Sequence, residues 1–232
     1  VGGFGPFVAE QAVALLLASA KNIVGFDRLA RAGTLRPVPP TKSLRGRTAL
    51  ILGFGAIAQE TARRLAAFGV RIVGMSRTGA PHPLAERMVD PTRLAEAVAS
   101  ADFVVDCLPL TRRTRHLIDA SVLRQMKEDA ILVNVGRADT IQPEALADHL
   151  RAHPQFQAAL DVTWGEDFDT GRIELSPSLA GLSNLVLSPH IAGYSEGARE
   201  YALERAVENL ANFFSGRPLA HVAERADYAR EV

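Results

Sequence analysis

Three residues in this 232-residue chain are of types that together could reduce a carbonyl. Arg137 follows the apolar run that ends in Val135-Gly136. Glu166 comes shortly after Ala159-Leu160-Asp161-Val162, and His190 sits in Ser188-Pro189-His190-Ile191. An arginine holds a carboxylate in a two-pronged fork and polarises a carbonyl beside it. A histidine gives a proton to the carbonyl oxygen as a hydride arrives at carbon, and takes it back in reverse. A carboxylate next to the histidine orients the ring and favours the imidazolium. Alone, each has a bland reading: a salt-bridged arginine, a solvated glutamate, a structural histidine. The three matter as a set because each follows a short apolar run.

Those runs are the elements that must position them, and residues 46–78 contain the most informative pair. Thr48 to Leu52 is apolar and ends in Gly53-Phe54-Gly55-Ala56-Ile57-Ala58; a helical stretch reaches Phe68, and Val70 to Met75 closes the unit at Ser76-Arg77-Thr78. Strand, glycine turn, helix and strand within about 30 residues make a dinucleotide-binding βαβ unit. Gly53 permits the sharp turn, and Gly55 lets a pyrophosphate approach the backbone. The N–H groups of Ala56 and Ile57 then open the helix toward that anion. Ala58, small enough for close helix–strand packing, stands where a third glycine is usual.

The rest of the chain alternates in the same way. Phe7 to about Phe26 reads as a helix that is apolar almost all round, suited to burial or to an interface. Residues 33–47 are a proline-rich connector, and 82–90 a loop. Pro91 to Ser100 reads as a short helix. Phe103 to Asp106 is a strand ending in Cys107-Leu108-Pro109. Asp119 to Lys127 is a capped helix, Ala130 to Val135 a strand, and Pro143 to Ala152 a helix. Ala158 to Val162 and Leu185 to Leu187 are the last strands, and Ser195 to Phe214 is a final helix. Continuous apolar strands between helices predict an α/β fold, a Rossmann-type doubly wound parallel sheet with helices on both faces. Ligands of such sheets bind at the carboxyl ends of the strands.

Acidic and basic residues number 26 each, so the net charge is zero and offers no footprint for nucleic acid or an anionic membrane. No stretch has the ~18 apolar residues of a membrane span. Val8 to Ala20 contains Glu10 and Gln11 and lacks a basic leader, so it does not read as a signal peptide. Cys107 is the single cysteine, which points to a reducing, cytoplasmic compartment. The first residue is Val1 rather than Met, so an upstream segment is expected.

The stretches VAEQAVALLLASAKNI, LRGRTALILGFGAIA, CLPLTRRTRHLIDASVLRQMKEDAILVNVGRAD, ALDVTWGED and NLVLSPHIAGYSEGA resemble the D-isomer-specific 2-hydroxyacid dehydrogenase family, in family order over nearly the whole chain. The resemblance implies Arg137 as binder of the substrate carboxylate and carbonyl, His190 as acid/base and Glu166 as its partner. It places Asp161 near the nicotinamide, and Cys107, Leu108, Pro109, Val135, Gly136 and Gly193 along the cofactor. It implies residues 1–193 as the cofactor-binding domain, with 194–232 returning to a substrate-binding domain whose main segment precedes the first helix in relatives. It also implies a homodimer through the first helix. The chain departs from the family at Ala58, at Ala138 where glycine usually follows the arginine, at Asp167 where proline usually follows the glutamate, and in a long loop over 167–183. Formate dehydrogenase relatives carry glutamine in place of Glu166.

The second strand of the βαβ unit ends without a carboxylate. An acidic side chain there would bind the ribose hydroxyls of NAD and repel a 2′-phosphate. Arg77 can instead pair with that phosphate, and Ser76 and Thr78 can donate to it, so NADP(H) is favoured and NAD(H) remains possible. The expected substrate is a 2-oxo or D-2-hydroxy acid of glyoxylate or hydroxypyruvate type. The alternative is a non-catalytic nucleotide-sensing or dimerisation module of corepressor type, whose relatives keep the same three residues.

Overall fold

A computed structural model describes residues 3–35, 38–220 and 222. Its centre is a seven-stranded parallel sheet. The strands are β1 (Thr48–Leu52), β2 (Arg71–Met75), β3 (Arg87–Val89), β4 (Phe103–Asp106), β5 (Ile131–Asn134), β6 (Gln157–Leu160) and, after a small hairpin, β9 (Leu185–Leu187). Their order is β3-β2-β1-β4-β5-β6-β9, and every neighbouring pair is parallel. The order reverses between β1 and β4, which opens the crevice where α/β sheets bind ligands.

Strand residues alternate between two cores. Leu50, Leu52, Val104, Leu132, Ala158 and Leu160 face one side; there they pack with Leu94 and Val98 of α4 (Leu94–Ser100), Leu123 of α5 (Ala120–Leu123) and Leu146 and Leu150 of α6 (Pro143–Ala152). Ala49, Ile51, Phe103, Val105, Ile131 and Val133 face the other; there they meet Val8, Leu15 and Leu16 of α1 (Gly5–Ala20) and Ala58, Ala62 and Leu65 of α3 (Ala56–Ala67). The period of two puts an apolar face on each side, which is why both sides carry helices. Leu16 is fully buried, so truncating it to alanine would cost about 2–5 kcal/mol. The strand starts are tied by polar contacts: Asp102 accepts from Thr48 N at 2.9 Å, Arg47 Nη1 at 3.0 Å and Lys127 Nζ at 2.9 Å.

The helix expected over 119–127 is the four-residue α5, which Asp119 caps, and the structure refines the expected elements in three further places. The first helix is two: α1 stops at Ala20, and α2 (Ile23–Arg31) leaves at 55°. Asn22 makes the break with φ of 49°, in the left-handed region that asparagine tolerates. The apolarity of α1 is explained within the chain, since it packs on α3 and over β5, β6 and β9. The expected loop at 82–90 holds β3, which is three residues long. Within the stretch 167–183, β7 (Glu166–Asp167) pairs antiparallel with β8 (Arg172–Ile173). Asp167 Oδ1 accepts from Asp169 N at 2.9 Å and Thr170 N at 3.1 Å. The residue in the usual proline position therefore builds this hairpin's turn.

The last helix, α7 (Ala198–Phe214), buries only Ala198. Leu203, Val207, Leu210, Phe213 and Phe214 are exposed along it. No single helix among the described residues is long and apolar enough to cross a membrane.

Candidate active site

Because the strands run parallel, the residues that follow them gather on one edge of the sheet. The glycine turn follows β1, Ser76-Arg77-Thr78 follows β2, Cys107-Leu108-Pro109 follows β4, Arg137 follows β5, Asp161 follows β6, and His190 follows β9.

The glycine turn is shaped by close backbone approach. Gly53 has φ of +80°, and a Cβ on it would lie 3.1 Å from Cys107 O and 3.0 Å from Leu108 Cδ2. A Cβ on Gly136 would lie 2.6 Å from Leu108 O. The loops after β1, β4 and β5 therefore touch through main chain. Gly55 differs: a Cβ there would meet nothing within 4 Å, and no side chain caps α3, whose first residues are Ala56 and Ile57. Open space before an uncapped helix start suits an anion. Ala58 is fully buried, as close packing of α3 on the sheet demands.

Around this turn, Cys107, Leu108 and Val135 are buried and Pro109 is exposed. Burial pushes the Cys107 thiol well above its ordinary range, so it stays neutral. After β2, Ser76 N donates to Val89 O at 3.1 Å, which fixes the strand's exit on β3. Ser76 Oγ accepts from Gly79 N at 3.1 Å and Thr78 Oγ1 accepts from Ala80 N at 3.3 Å. Both hydroxyls keep their own proton to donate.

Residues 24 apart meet at the other end of the edge. His190 Nδ1 lies 2.7 Å from Glu166 Oε2. The other carboxylate oxygen accepts from Thr163 N at 2.6 Å. Glutamate is thereby held at both oxygens, and histidine at one nitrogen, leaving Nε2 as the ring's other nitrogen. The Phe168 ring meets the imidazole edge-to-face at 5.2 Å.

His190 has φ of 53°. Its N–H donates to Asp161 O at 2.8 Å. The Asp161 carboxylate is nearly fully buried; it accepts from Ser188 Oγ at 2.5 Å, Ile191 N at 3.1 Å and Ala192 N at 2.9 Å. Asp161, expected beside a cofactor, thus has both oxygens occupied in pinning the histidine segment. Gln11 of α1 adds a hydrogen bond to Ser188 Oγ at 3.0 Å. Gly193 follows, and a Cβ there would reach the Phe4 ring at 3.4 Å.

Arg137 is exposed, with its guanidinium donating to Gly136 O at 2.7 Å. Its own carbonyl accepts from Asn134 Nδ2 at 3.0 Å and from Thr140 Oγ1 at 2.6 Å. Asn134 Oδ1 accepts from Gly136 N at 2.8 Å. Asn134, Thr140, Thr163, Ser188 and Phe168 were not singled out in the sequence. The usable signal was polar residues closing apolar runs, as in Ile131-Leu132-Val133-Asn134.

The fold and this edge define the class: the chain belongs to the D-isomer specific 2-hydroxyacid dehydrogenase family, whose NAD binding domain matches residues 13–192. It is 37% identical over 216 residues to a glyoxylate reductase of Thermococcus onnurineus, covering 90% of this chain and 63% of that protein. It is 33% identical over 205 residues to a hydroxypyruvate reductase of Thermotoga maritima, covering 88% and 65%. The chain thus spans about 63–65% of the length of these curated relatives. Among solved structures, a glycerate dehydrogenase related protein from Thermoplasma acidophilum superposes with a TM-score of 0.78 at 33% identity, over 92% of this chain and 72% of that one. An acyclic imino acid reductase in complex with NADPH and D-Arg gives 0.81 at 26% identity, over 95% and 69%.

Proposed function

We propose that this chain is the cofactor-binding and proton-transferring part of an NADP(H)-linked reductase of short 2-oxo acids, of glyoxylate or hydroxypyruvate type. The observation that carries the reading is the Glu166–His190 contact at 2.7 Å, held at its far side by Thr163 N, on the same sheet edge as Arg137 and the glycine turn. The residues present fit a dinucleotide. Gly55 leaves open space before α3, and Gly53 and Gly136 let three loops close into a cradle. A bound nicotinamide would supply the hydride.

The chain's own groups do the rest. In reduction, His190 Nε2 gives a proton to the substrate oxygen, and Glu166 orients the ring through its contact with Nδ1. Arg137 binds the carboxylate and polarises the carbonyl. Ser76, Arg77 and Thr78 select a 2′-phosphate over free ribose hydroxyls, since no carboxylate ends β2. The similar glyoxylate and hydroxypyruvate reductases support the substrate class, and the similar imino acid reductase in complex with NADPH supports the cofactor. Residues 194–220, with the exposed apolar face of α7, fit contact with a substrate-binding domain, and a homodimer through α1 and α2 completes the reading.

The test is a paired titration with NADPH and NADH followed by nicotinamide fluorescence, with turnover of glyoxylate and hydroxypyruvate as substrates. Tighter NADPH binding and turnover lost in His190→Asn support the proposal. Turnover retained by that variant would remove His190 from the reaction.

A further inference from the structure

Thr140 has one hydroxyl proton and two oxygen neighbours that both need it. Its Oγ1 lies 2.5 Å from Asp106 Oδ2 and 2.6 Å from the Arg137 carbonyl oxygen. A carbonyl only accepts, and an ionised carboxylate only accepts. With Asp106 ionised, one of these two short contacts would set oxygen against oxygen with no hydrogen between them. With Asp106 protonated the count closes. Its Oδ1 accepts from Leu108 N at 2.9 Å, its Oδ2 donates to Thr140 Oγ1, and Thr140 donates onward to Arg137 O.

Among the described residues, no charged side chain pairs with Asp106 to keep it ionised. Asp106 is fully buried at the carboxyl end of β4. In register beside it stand Leu52 on β1 and Asn134 on β5. Asn134 is occupied with Gly136 N and Arg137 O, and its amide also donates a long bond to Thr140 Oγ1 at 3.5 Å, which takes up none of the hydroxyl's proton. From its own strand end comes Cys107, neutral through burial. In the 3-10 turn Ala138–Thr140, the Asp139 carboxylate pairs with Arg115 at 3.0 Å, and the Arg137 guanidinium donates to Gly136 O.

We infer that Asp106 is a positioning residue for Arg137: as a neutral acid it starts a one-way hydrogen-bond chain, Asp106 to Thr140 to the Arg137 carbonyl, that fixes the backbone from which the arginine side chain departs. Burial, opposed by the bonds from Thr140 and Leu108, raises the carboxyl from 3.8 to about 6. The chain therefore weakens as pH rises through that value. Its effect on turnover rests on the role proposed for Arg137; the protonation itself does not.

Two measurements on the 232-residue chain decide this. Infrared difference spectra of the parent against Asp106→Asn at pH 5 should show a protonated-carboxyl stretch that the variant lacks. Urea denaturation from pH 4 to 7 should show the parent losing stability relative to Asp106→Asn as pH rises, by roughly a hundredfold in the folding equilibrium constant. Asparagine keeps one donor and one acceptor, so it replaces the neutral acid without titrating. No carboxyl band, with parallel pH profiles, would overturn the inference. The positioning role is read separately: Thr140→Val should raise KM for the 2-oxo acid more than it lowers kcat, and Thr140→Ser should restore it. Unchanged KM in Thr140→Val overturns the positioning role. Absence of turnover in the parent counts against the function proposed above and leaves the infrared and denaturation results to decide the protonation.

Discussion

Gly136 and Leu108 touch main chain to main chain: a Cβ on the glycine would sit 2.6 Å from the leucine carbonyl oxygen. Neither partner is a flexible side chain that could move aside. Gly136→Ala should therefore shift the loop after β4 and cost about 1–3 kcal/mol. Urea denaturation would read this as a lower midpoint at unchanged slope. NADPH affinity should fall with it, because the same loops form the proposed cofactor cradle.

His190→Asn should reduce turnover of glyoxylate by about a hundredfold or more, the usual worth of a positioned proton donor. Asparagine tolerates the left-handed φ of 53° at this position. The loss should therefore come without unfolding, and NADPH should bind as in the parent. Stopped-flow turnover and fluorescence titration separate the two.

Arg77→Ala should weaken NADPH by about tenfold, the scale of one charge-assisted hydrogen bond. NADH affinity should change little. Equal losses for both cofactors would mean that the guanidinium acts on a part of the dinucleotide they share, not on the 2′-phosphate.

His149 supplies a pH dependence away from the site. It is buried on α6, 4.3 Å from the His153 ring and 4.5 Å from the Phe156 ring, and desolvation followed by the neighbouring His153 lowers it from 6.5 to about 4. The folded chain thus binds fewer protons than the unfolded chain between these values. Its contribution is full above pH 6.5 and is lost as pH falls toward 4. The slope approaches one proton, about 1.4 kcal/mol per pH unit. His149→Leu should remove this acid-side loss and leave stability that falls from pH 4.5 to pH 7, as urea denaturation at those two values would read. Asp106 tilts the same window the opposite way, so the parent's profile is flatter than that of either variant.

How much of this could be read from the chain depends on the length of each signal. β1, β4 and β9 are continuous apolar runs, and their observed ends coincide with the expected ones. Arg87-Met88-Val89 is too short and mixed to show a period, so β3 became visible only through its pairing with β2. The break at Asn22 carries neither glycine nor proline. It depends on one backbone dihedral that residue type permits but does not announce. For the site, Glu166 and His190 were legible as residue types. Their 2.7 Å contact is a product of topology, which places β9 beside β6. Asp106 read only as the end of a strand, because proton counting needs distances.

The left-handed backbone at His190 narrows what this position could become. Glycine, asparagine, aspartate and histidine are the residues most at home there, and β-branched or bulky types are strained. Of these four, only aspartate and histidine ionise. Aspartate would set a second carboxylate beside Glu166, where like charges repel. Among replacements that preserve the turn, histidine is therefore the one that would carry the proposed proton without setting a second carboxylate beside Glu166. A change to lysine or tyrosine would first require a different loop.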